Sequence, residues 1–398
     1  MPWAPLLAMA LTGFVIIMTE TLPAGLLPQI AGGLAVSEAA AGQLVSAYAA
    51  GTVLAAVPAV AMTRTRGRKP LMLVGITGFL IANAATAVNR DYGLALAIRF
   101  VAGGFSGLLW GLIPGYARRI VPPALAGRGL AVAMVGTPVA LSVGTPLGSF
   151  GGSVVGWRWT FAALSLVAVV LGGWVLLGVP DAPGQDASTR TPLRGVVLTP
   201  GVLPVLAVVL GWMLAHNILY TYLAPYLSAV GVPGRVDSIL LVFGLSSLAG
   251  IWVTALLVDR ALRLLLLASL AGFALAAIAL AIAGTVPAVF YAAVVVWGAT
   301  FGGASTQLNT ASADASGEDV DVTAALVSTT WNLAILGGGV FGGLLLAAAG
   351  AAFFPLALLV LVVPALLVAV VARHHAFPLT RRPQDPSTST PDATRGPR

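Results

Sequence analysis

The chain has 398 residues, of which 59% are hydrophobic and only 8% charged, with a formal net charge of +7 and no cysteine. A soluble domain is about 25% charged, so lipid rather than water must solvate most of this surface. The missing cysteines exclude disulfides and thiolate chemistry, and the basic residues gather in particular loops, which argues for membrane orientation rather than nucleic-acid binding.

A crossing of the hydrocarbon takes roughly 20 apolar residues. Twelve such spans are predicted, near 5–29, 43–62, 70–88, 92–117, 129–152, 159–179, 203–229, 237–258, 262–283, 287–309, 322–347 and 351–372. No basic stretch precedes the first span and no cleavage site follows it, so it is expected to stay in place as a helix rather than leave as a signal peptide. One internal polar stretch is long, 180–200, PDAPGQDASTRTPLRGVVLTP. It divides the chain into an N-terminal six-helix bundle (1–180), a cytoplasmic linker (181–200) and a C-terminal six-helix bundle (201–373). The Pro/Ser/Thr-rich tail, 374–398, is expected to be disordered.

With the N-terminus in the cytoplasm, loops 2–3, 4–5, 6–7 and 8–9 and the tail carry 16 of the 20 Lys and Arg. The opposite loops hold Arg90, Arg158 and Arg235, and Arg99 falls inside span 4. This bias puts both termini in the cytoplasm of a multi-pass protein of the cell membrane. The halves also echo each other. Spans 1 and 7 each carry a late proline, Pro28 and Pro225, and spans 5 and 11 are both glycine-rich. A weak repeat of six helices implies two pseudo-symmetric bundles around a central cavity. The fold class is all-α membrane protein.

Glu20, in GFVIIMTETLPAGLLP (13–28), is the only acid expected deep in a span, and Arg99 the only base. A charge at that depth costs about 2.5–3.5 kcal/mol on the lenient insertion scale and is usually kept for use. Counted from the outer ends of their helices at ~1.5 Å per residue, both lie roughly 10–14 Å deep, so they can meet. Glu20 is a candidate proton switch paired with Arg99. A static salt bridge, or an acid that only orients substrate, fits the same residues. His216 in span 7 is a third candidate for proton exchange, against the plainer reading of a hydrogen-bonded packing residue. Tyr220 shares its face. Polar or aromatic residues within apolar spans complete the cavity candidates: Asn217, Tyr48, Trp110, Asn309 and Asn332, with Gln307 and Trp331 behind them. Gly144, Pro146 and Gly148 in span 5 suit close helix packing and a bend.

Four stretches together resemble one family: TETLPAGLLPQIAGGLAVS (19–37), RTRGRKP (64–70), IRFVAGGFSGLLWG (98–111), and GTPLG (144–148) with GWRWTF (156–161). The chain resembles the major facilitator superfamily over residues 5–372, and within it the drug:proton antiporter branch that includes arabinose-efflux and chloramphenicol-efflux permeases. The resemblance implies twelve helices, alternating access, proton-coupled efflux of a sugar or drug, and an antiporter-type element at Gly144-Thr145-Pro146-Leu147-Gly148. It also implies a cytoplasmic gate at Arg64, Arg66, Gly67, Arg68 and Lys69. The chain departs from that pattern at Arg64, where the family usually has an aspartate.

Loop 10–11 gathers Asp314, Glu318, Asp319 and Asp321 without a base. These acids complement the dipole of span 11, or Asp319 and Asp321 latch against the basic loop. No Walker A sequence, metal-ligand cluster or nucleophile triad appears, so neither enzyme activity nor a cofactor or metal is expected. The expected partners are lipid, a small-molecule substrate and protons, with no nucleic acid, for a monomer. An uncoupled facilitator or importer and a non-transporting membrane sensor are the other readings.

Overall fold

The computed structural model describes residues 1–63, 65–122, 125–183, 199–232, 235–316, 320–373 and 375–377. Every regular element among them is helical. Span 1 is Trp3–Gly25, continued beyond a break at Leu26 by Leu27–Leu34. Span 7 repeats the design as Val202–Thr221, a break at Tyr222, and Leu223–Val230. Each break lies just before a proline, Pro28 or Pro225, whose missing N–H cannot continue the helical ladder. Spans 2, 3, 4 and 6 are Glu38–Thr63, Arg68–Val88, Tyr92–Arg119 and Trp157–Gly178.

Spans 8 and 9 form one 48-residue helical run, Val236–Ala283, broken only at Ala261 (φ −142°, ψ 33°). At 1.5 Å per residue such a run measures about 72 Å, more than twice the hydrocarbon thickness. It therefore supplies two crossings, and the expected loop 259–263 is a tight break. Span 10 is Pro287–Gly302 with Ala304–Ser316, span 11 is Val320–Ala348, and span 12 is Phe354–Val371. Counted with the doubled run, the helices give the twelve crossings expected.

Span 5 is the irregular one: Ala126–Met134, Gly136–Val139, a π-turn at Ala140–Gly144, and Thr145–Val155. Pro146 cannot donate to the ladder, and the Thr145 hydroxyl donates instead to Ala140 O (3.1 Å). Glycines on this span lie against span 1: Gly136 faces the main chain at Ala10, Gly144 faces Phe14 and Met18, and Gly148 faces Met18 and Leu22. The Gly144–Pro146–Gly148 element thus brings span 5 onto the helix that carries Glu20.

Close backbone seams recur in both halves. A Cβ added at Gly51 would meet the Phe100 carbonyl, and one at Gly103 the Tyr48 carbonyl, sealing span 2 to span 4. Gly250 stands likewise against Ala299, and Gly302 against Ser247, sealing span 8 to span 10. With no hydrophobic drive between helices in lipid, such close approach supplies the packing. Large apolar side chains such as Leu177 (88% exposed), Ile282 (81%) and Trp252 (72%) cover the outside, as a lipid-facing belt requires.

The end of the molecule with the turns at 65–67 and 259–263 is termed the basic end, and that with the turns at 35–37, 89–91 and 284–286 the far end. One buried core is confined to residues between Leu6 and Ala182. A second joins the C-terminal helices to far-end residues of the first half, including Leu26, Leu27, Leu34, Leu44 and Phe161. The halves are therefore fused at the far end. Two boundaries of the predicted organisation shift. Residues 181–183, expected at the linker's start, pack on the first half, where Arg68 N–H donates to Ala182 O (2.9 Å) and Ala182 is buried. Ala376 and Phe377, expected in the disordered tail, are buried, and Arg263 donates to Phe377 O (2.7 Å). The remainder of the linker (184–198), His374 and the tail from 378 lie outside the described residues.

Replacing Gly103 by Val should separate spans 2 and 4. Overpacking typically costs 1–3 kcal/mol, so a lower unfolding temperature in detergent is expected for Gly103→Val. The matching change Gly302→Val should act alike.

Candidate functional site

Arg99 sits in span 4 at 2% exposure. Its Nη1 donates to Thr19 O (2.5 Å), its Nη2 to Glu20 O (3.3 Å), and its Nε to Leu44 O (3.3 Å). The guanidinium also lies 4.6 Å from the Tyr48 ring centroid. The depth match expected between Glu20 and Arg99 is met, because the arginine reaches the main chain of Glu20 itself. The expected side-chain pair is not formed. The guanidinium is directed to carbonyls, and its carboxylate neighbour is not among its partners within 4 Å. Tyr48 is likewise no cavity residue: it is fully buried, and its hydroxyl donates to Ile16 O (3.3 Å).

Glu20 and Thr21 are half-buried at the junction of the halves. The Thr21 hydroxyl is 2.8 Å from that of Thr145, at the end of the π-turn. Tyr220 of span 7 points its hydroxyl at this pair and lies in the electrostatic reach of Glu20. That hydroxyl is buried. On the other side of Glu20, Asn83 donates to Thr19 Oγ1 (3.0 Å), tying span 3 to span 1.

His216 is packed in an aromatic cluster. Trp297 Nε1–H donates to its Nδ1 (3.0 Å). Its ring stacks on Phe301 (centroids 3.6 Å apart, 7° between planes) and faces Tyr220 at 5.3 Å. An Nδ1 that accepts a hydrogen bond carries no proton, so the ring here is the neutral Nε2–H tautomer. His216 thus stands as a hydrogen-bonded member of this aromatic cluster. Asn217 also leaves the cavity set: its amide donates to Met213 O (2.7 Å) and its Cβ faces Gly338 of span 11. Gln307 is buried within the second half, donating to Thr254 and Ser269 (both 3.2 Å).

The remaining candidates are accessible. Asn309, Ser305 and Thr306 are exposed on span 10, as is Ser328 on span 11, with Trp331 and Asn332 half-buried. Trp110 and Phe14 of the first half are also half-buried. The Asn309 amide donates to Ser305 O (2.8 Å) and that of Asn332 to Ser328 O (3.0 Å). Lipid cannot satisfy the rest of these amide groups, so this polar face of spans 10 and 11 is unsuited to contact with lipid.

The far end is closed by contacts between the halves. Tyr222, at the break of span 7, donates to Gly339 O of span 11 (2.7 Å). Gln43 of span 2 donates to the same carbonyl (3.0 Å), and Ser46 to Leu336 O (3.3 Å). Gly42, Gly342 and Gly343 leave the notch that holds the Tyr222 ring; a Cβ at Gly343 would lie 2.6 Å from both the Tyr222 hydroxyl and Gln43 Nε2. Arg235 before span 8 donates to Ser153 Oγ of span 5 (2.5 Å).

At the basic end, Gly67 caps span 3, and the Asp181 carboxylate accepts from Lys69 N–H (2.9 Å) and Ala182 N–H (2.8 Å). Arg68 is buried, its N–H donating to Ala182 O (2.9 Å), and Arg66 is exposed. An acid from the end of span 6 therefore serves the basic loop that lacks its own aspartate at Arg64. Arg64 and Asp319 lie outside the described residues, as does the Asp321 side chain. Asp181, Tyr222 and Trp297 were not legible as site residues, because each acts through a partner more than 80 residues away.

The sequence pattern of the Major Facilitator Superfamily matches residues 9–338. The chain belongs to the major facilitator superfamily. This membrane transporter is 26% identical over 302 residues to the purine ribonucleoside efflux pump NepI of Escherichia coli strain K12, covering 75% of this chain and 76% of that one. The NepI pump of Shigella flexneri matches to the same extent. Among solved structures, a bacterial homologue of the human lysosomal transporter Spinster, inward-facing and occupied, superposes with a TM-score of 0.71 at 13% identity, over 94% of this chain and 95% of that one. The human organic anion transporter MFSD10 gives 0.70 at 16% identity, over 92% and 99%. At these identities the structural likeness carries the fold, and the sequence match carries the superfamily.

Because the transporter has no cysteine, one introduced thiol is a clean probe of its closed end. Val45, 4% exposed between the halves, is a suitable site. In a Val45→Cys background, Gly343→Val should evict Tyr222 from its notch and raise the rate of labelling by an impermeant maleimide at least fivefold from the far side.

Proposed function

We propose that this transporter is a proton-coupled exporter of small molecules of the purine ribonucleoside type, working by alternating access of two six-helix bundles. The observation that carries the reading is Glu20, an acid at membrane depth whose carboxylate its neighbouring arginine leaves without an ion pair. An acid placed so is free to exchange its proton with water or ligand in the cleft, and a permanently paired one is not. The substrate class is suggested by the NepI pumps, which share about three-quarters of their length with this chain. The narrower drug:proton antiporter branch suggested by the motif stretches stays within the same proposal, as does a monomer in the plasma membrane.

The charge bias of the loops supports a cytoplasmic basic end and cytoplasmic termini. In that orientation the present state is inward-facing: Tyr222 and Arg235 hold the outer side shut, and the polar face of spans 10 and 11 meets the cytoplasm. Protonation of Glu20 from outside and its loss inside would then bias the two states in opposite directions. A ligand or proton shifts such an equilibrium only through a difference in affinity for the two states, and the Thr21–Thr145–Tyr220 contact between halves supplies one.

In reconstituted vesicles with an imposed pH gradient, wild type should move adenosine against its gradient and lose that ability when a protonophore is added. Glu20→Gln should keep downhill exchange while losing more than 90% of gradient-driven accumulation. Accumulation in Glu20→Gln equal to wild type overturns the coupling.

A further inference from the structure

We propose that a furrow between spans 11 and 12 holds one acyl chain of a phospholipid from the leaflet at the far end, and that this chain braces the closure between the halves. The site is independent of the substrate and of proton coupling.

Spans 7, 11 and 12 enclose a furrow of about 550 Å³ that is open at the surface of the molecule. Leu214 and Ile218 of span 7 form its floor. Phe341 and Leu345 of span 11 form one wall, and Phe353, Leu356 and Val360 of span 12 the other. Every lining side chain is apolar. Phe341, Phe353, Leu356 and Val360 are exposed, so the furrow is continuous with the lipid-facing belt. A water in it would lack the two to four polar partners that a buried water needs. A void would forfeit the dispersion contacts of its walls. An acyl chain, the molecule that surrounds this face, supplies them.

The length of the furrow matches such a chain. From Phe353 at the far end to Leu361 it runs about 12 Å at ~1.5 Å per residue, close to the ~15 Å depth of one leaflet of hydrocarbon. Beyond that point spans 7 and 12 close on each other: a Cβ added at Gly211 would lie 3.0 Å from Leu361 O and 3.1 Å from the Ala365 side chain. A helix of a second copy must cross the full ~30 Å, and the furrow would seat less than half of it. A flexible chain has no such requirement. The other face of span 11 carries the closure. Gly342 and Gly343 turn to Tyr222, while Phe341 and Leu345 turn to the furrow. Ile218 borders both: a Cβ at Gly342 would lie 2.7 Å from the Tyr222 ring and 3.5 Å from Ile218 Cγ2. A chain in the furrow therefore backs span 11 where Gly339 O holds the Tyr222 and Gln43 donors. An empty furrow lets span 11 recede from the notch.

The test uses full-length transporter in detergent, stripped of lipid, with one thiol introduced at Leu344, exposed on span 11 beside the furrow, or at Ile282, exposed at the far end of span 9. Each thiol carries a bimane, and phosphatidylcholine with a doxyl group on one chain is titrated in. Quenching at Leu344→Cys should saturate near one lipid per transporter, and at Ile282→Cys it should rise in proportion to the lipid added. Ala357→Phe, which fills the furrow from span 12, should remove the saturable part. In the Val45→Cys background, unlabelled phosphatidylcholine should slow maleimide labelling at least threefold, and Ala357→Phe should make the rate independent of lipid. Proportional quenching at both thiols, or saturable quenching that survives Ala357→Phe, overturns the site; the two thiols alone decide it if that variant does not fold. Labelling of Val45→Cys unchanged by lipid overturns the brace. Efficient disulfide cross-linking of Leu344→Cys between copies overturns the acyl chain as occupant and assigns the furrow to a second copy.

Discussion

A guanidinium buried in the membrane interior must have its donors filled, and Arg99 fills them from main-chain carbonyls. Three carbonyls from spans 1 and 2 converge on one side chain of span 4. Those helices are thereby fixed in depth relative to one another, and the Tyr48 ring closes the remaining face of the cation. The consequence for function is indirect. Because the arginine is occupied by the backbone of residues 19 and 20, the Glu20 carboxylate is left without an ion pair to it. A direct ion pair would bury the acid against its partner and give it a reason to stay charged. The observed geometry gives Arg99 the task of holding spans 1, 2 and 4 together.

The surroundings of Glu20 connect it to both ends of the molecule. One turn further along span 1, Gly25 lies against Ser149 of span 5 and Leu240 of span 8. Ser149 donates to Gly25 O (2.6 Å), so spans 1, 5 and 8 meet just beyond the Glu20–Thr21 step. The π-turn of span 5 lies level with that meeting point, and such turns often occur at functional sites. Movement of Thr145 against Thr21 would be felt where the halves close. Tyr222 and its glycine notch then add hydrogen bonds between spans 2, 7 and 11 to the apolar core that joins the halves at the far end.

Much of this architecture was legible in the linear sequence, and the reasons are physical. Hydropathy reveals crossings because every lipid-exposed backbone group must be satisfied within its own helix. The twelve spans and the depth match of Glu20 with Arg99 follow from length and rise per residue, whereas the continuous run at 236–283 does not. Partners do not follow. Nothing in a hydropathy pattern distinguishes an arginine bound to carboxylate from one bound to carbonyls. Asp181 is 112 residues from the Lys69 N–H it serves, and Tyr222 is 117 from Gly339. Asn217 and Gln307 looked like cavity residues because apolar spans seldom hold amides, yet both are buried, Asn217 donating within its own helix to Met213 O and Gln307 Nε2 donating to Thr254 and Ser269. Asn309 and Asn332, costly in lipid for the same reason, do lie on an accessible face. His216 was ambiguous from the start, and the Trp297 indole decides its tautomer.

The central claim is that Glu20, unpaired beside a pinned arginine, is the group that exchanges a proton for substrate. The direct measurement is proton release on substrate binding, with purified transporter in weakly buffered solution at saturating adenosine. Wild type should release close to one proton per molecule and Glu20→Gln none, while the variant still binds adenosine. Equal release from both proteins would contradict the account.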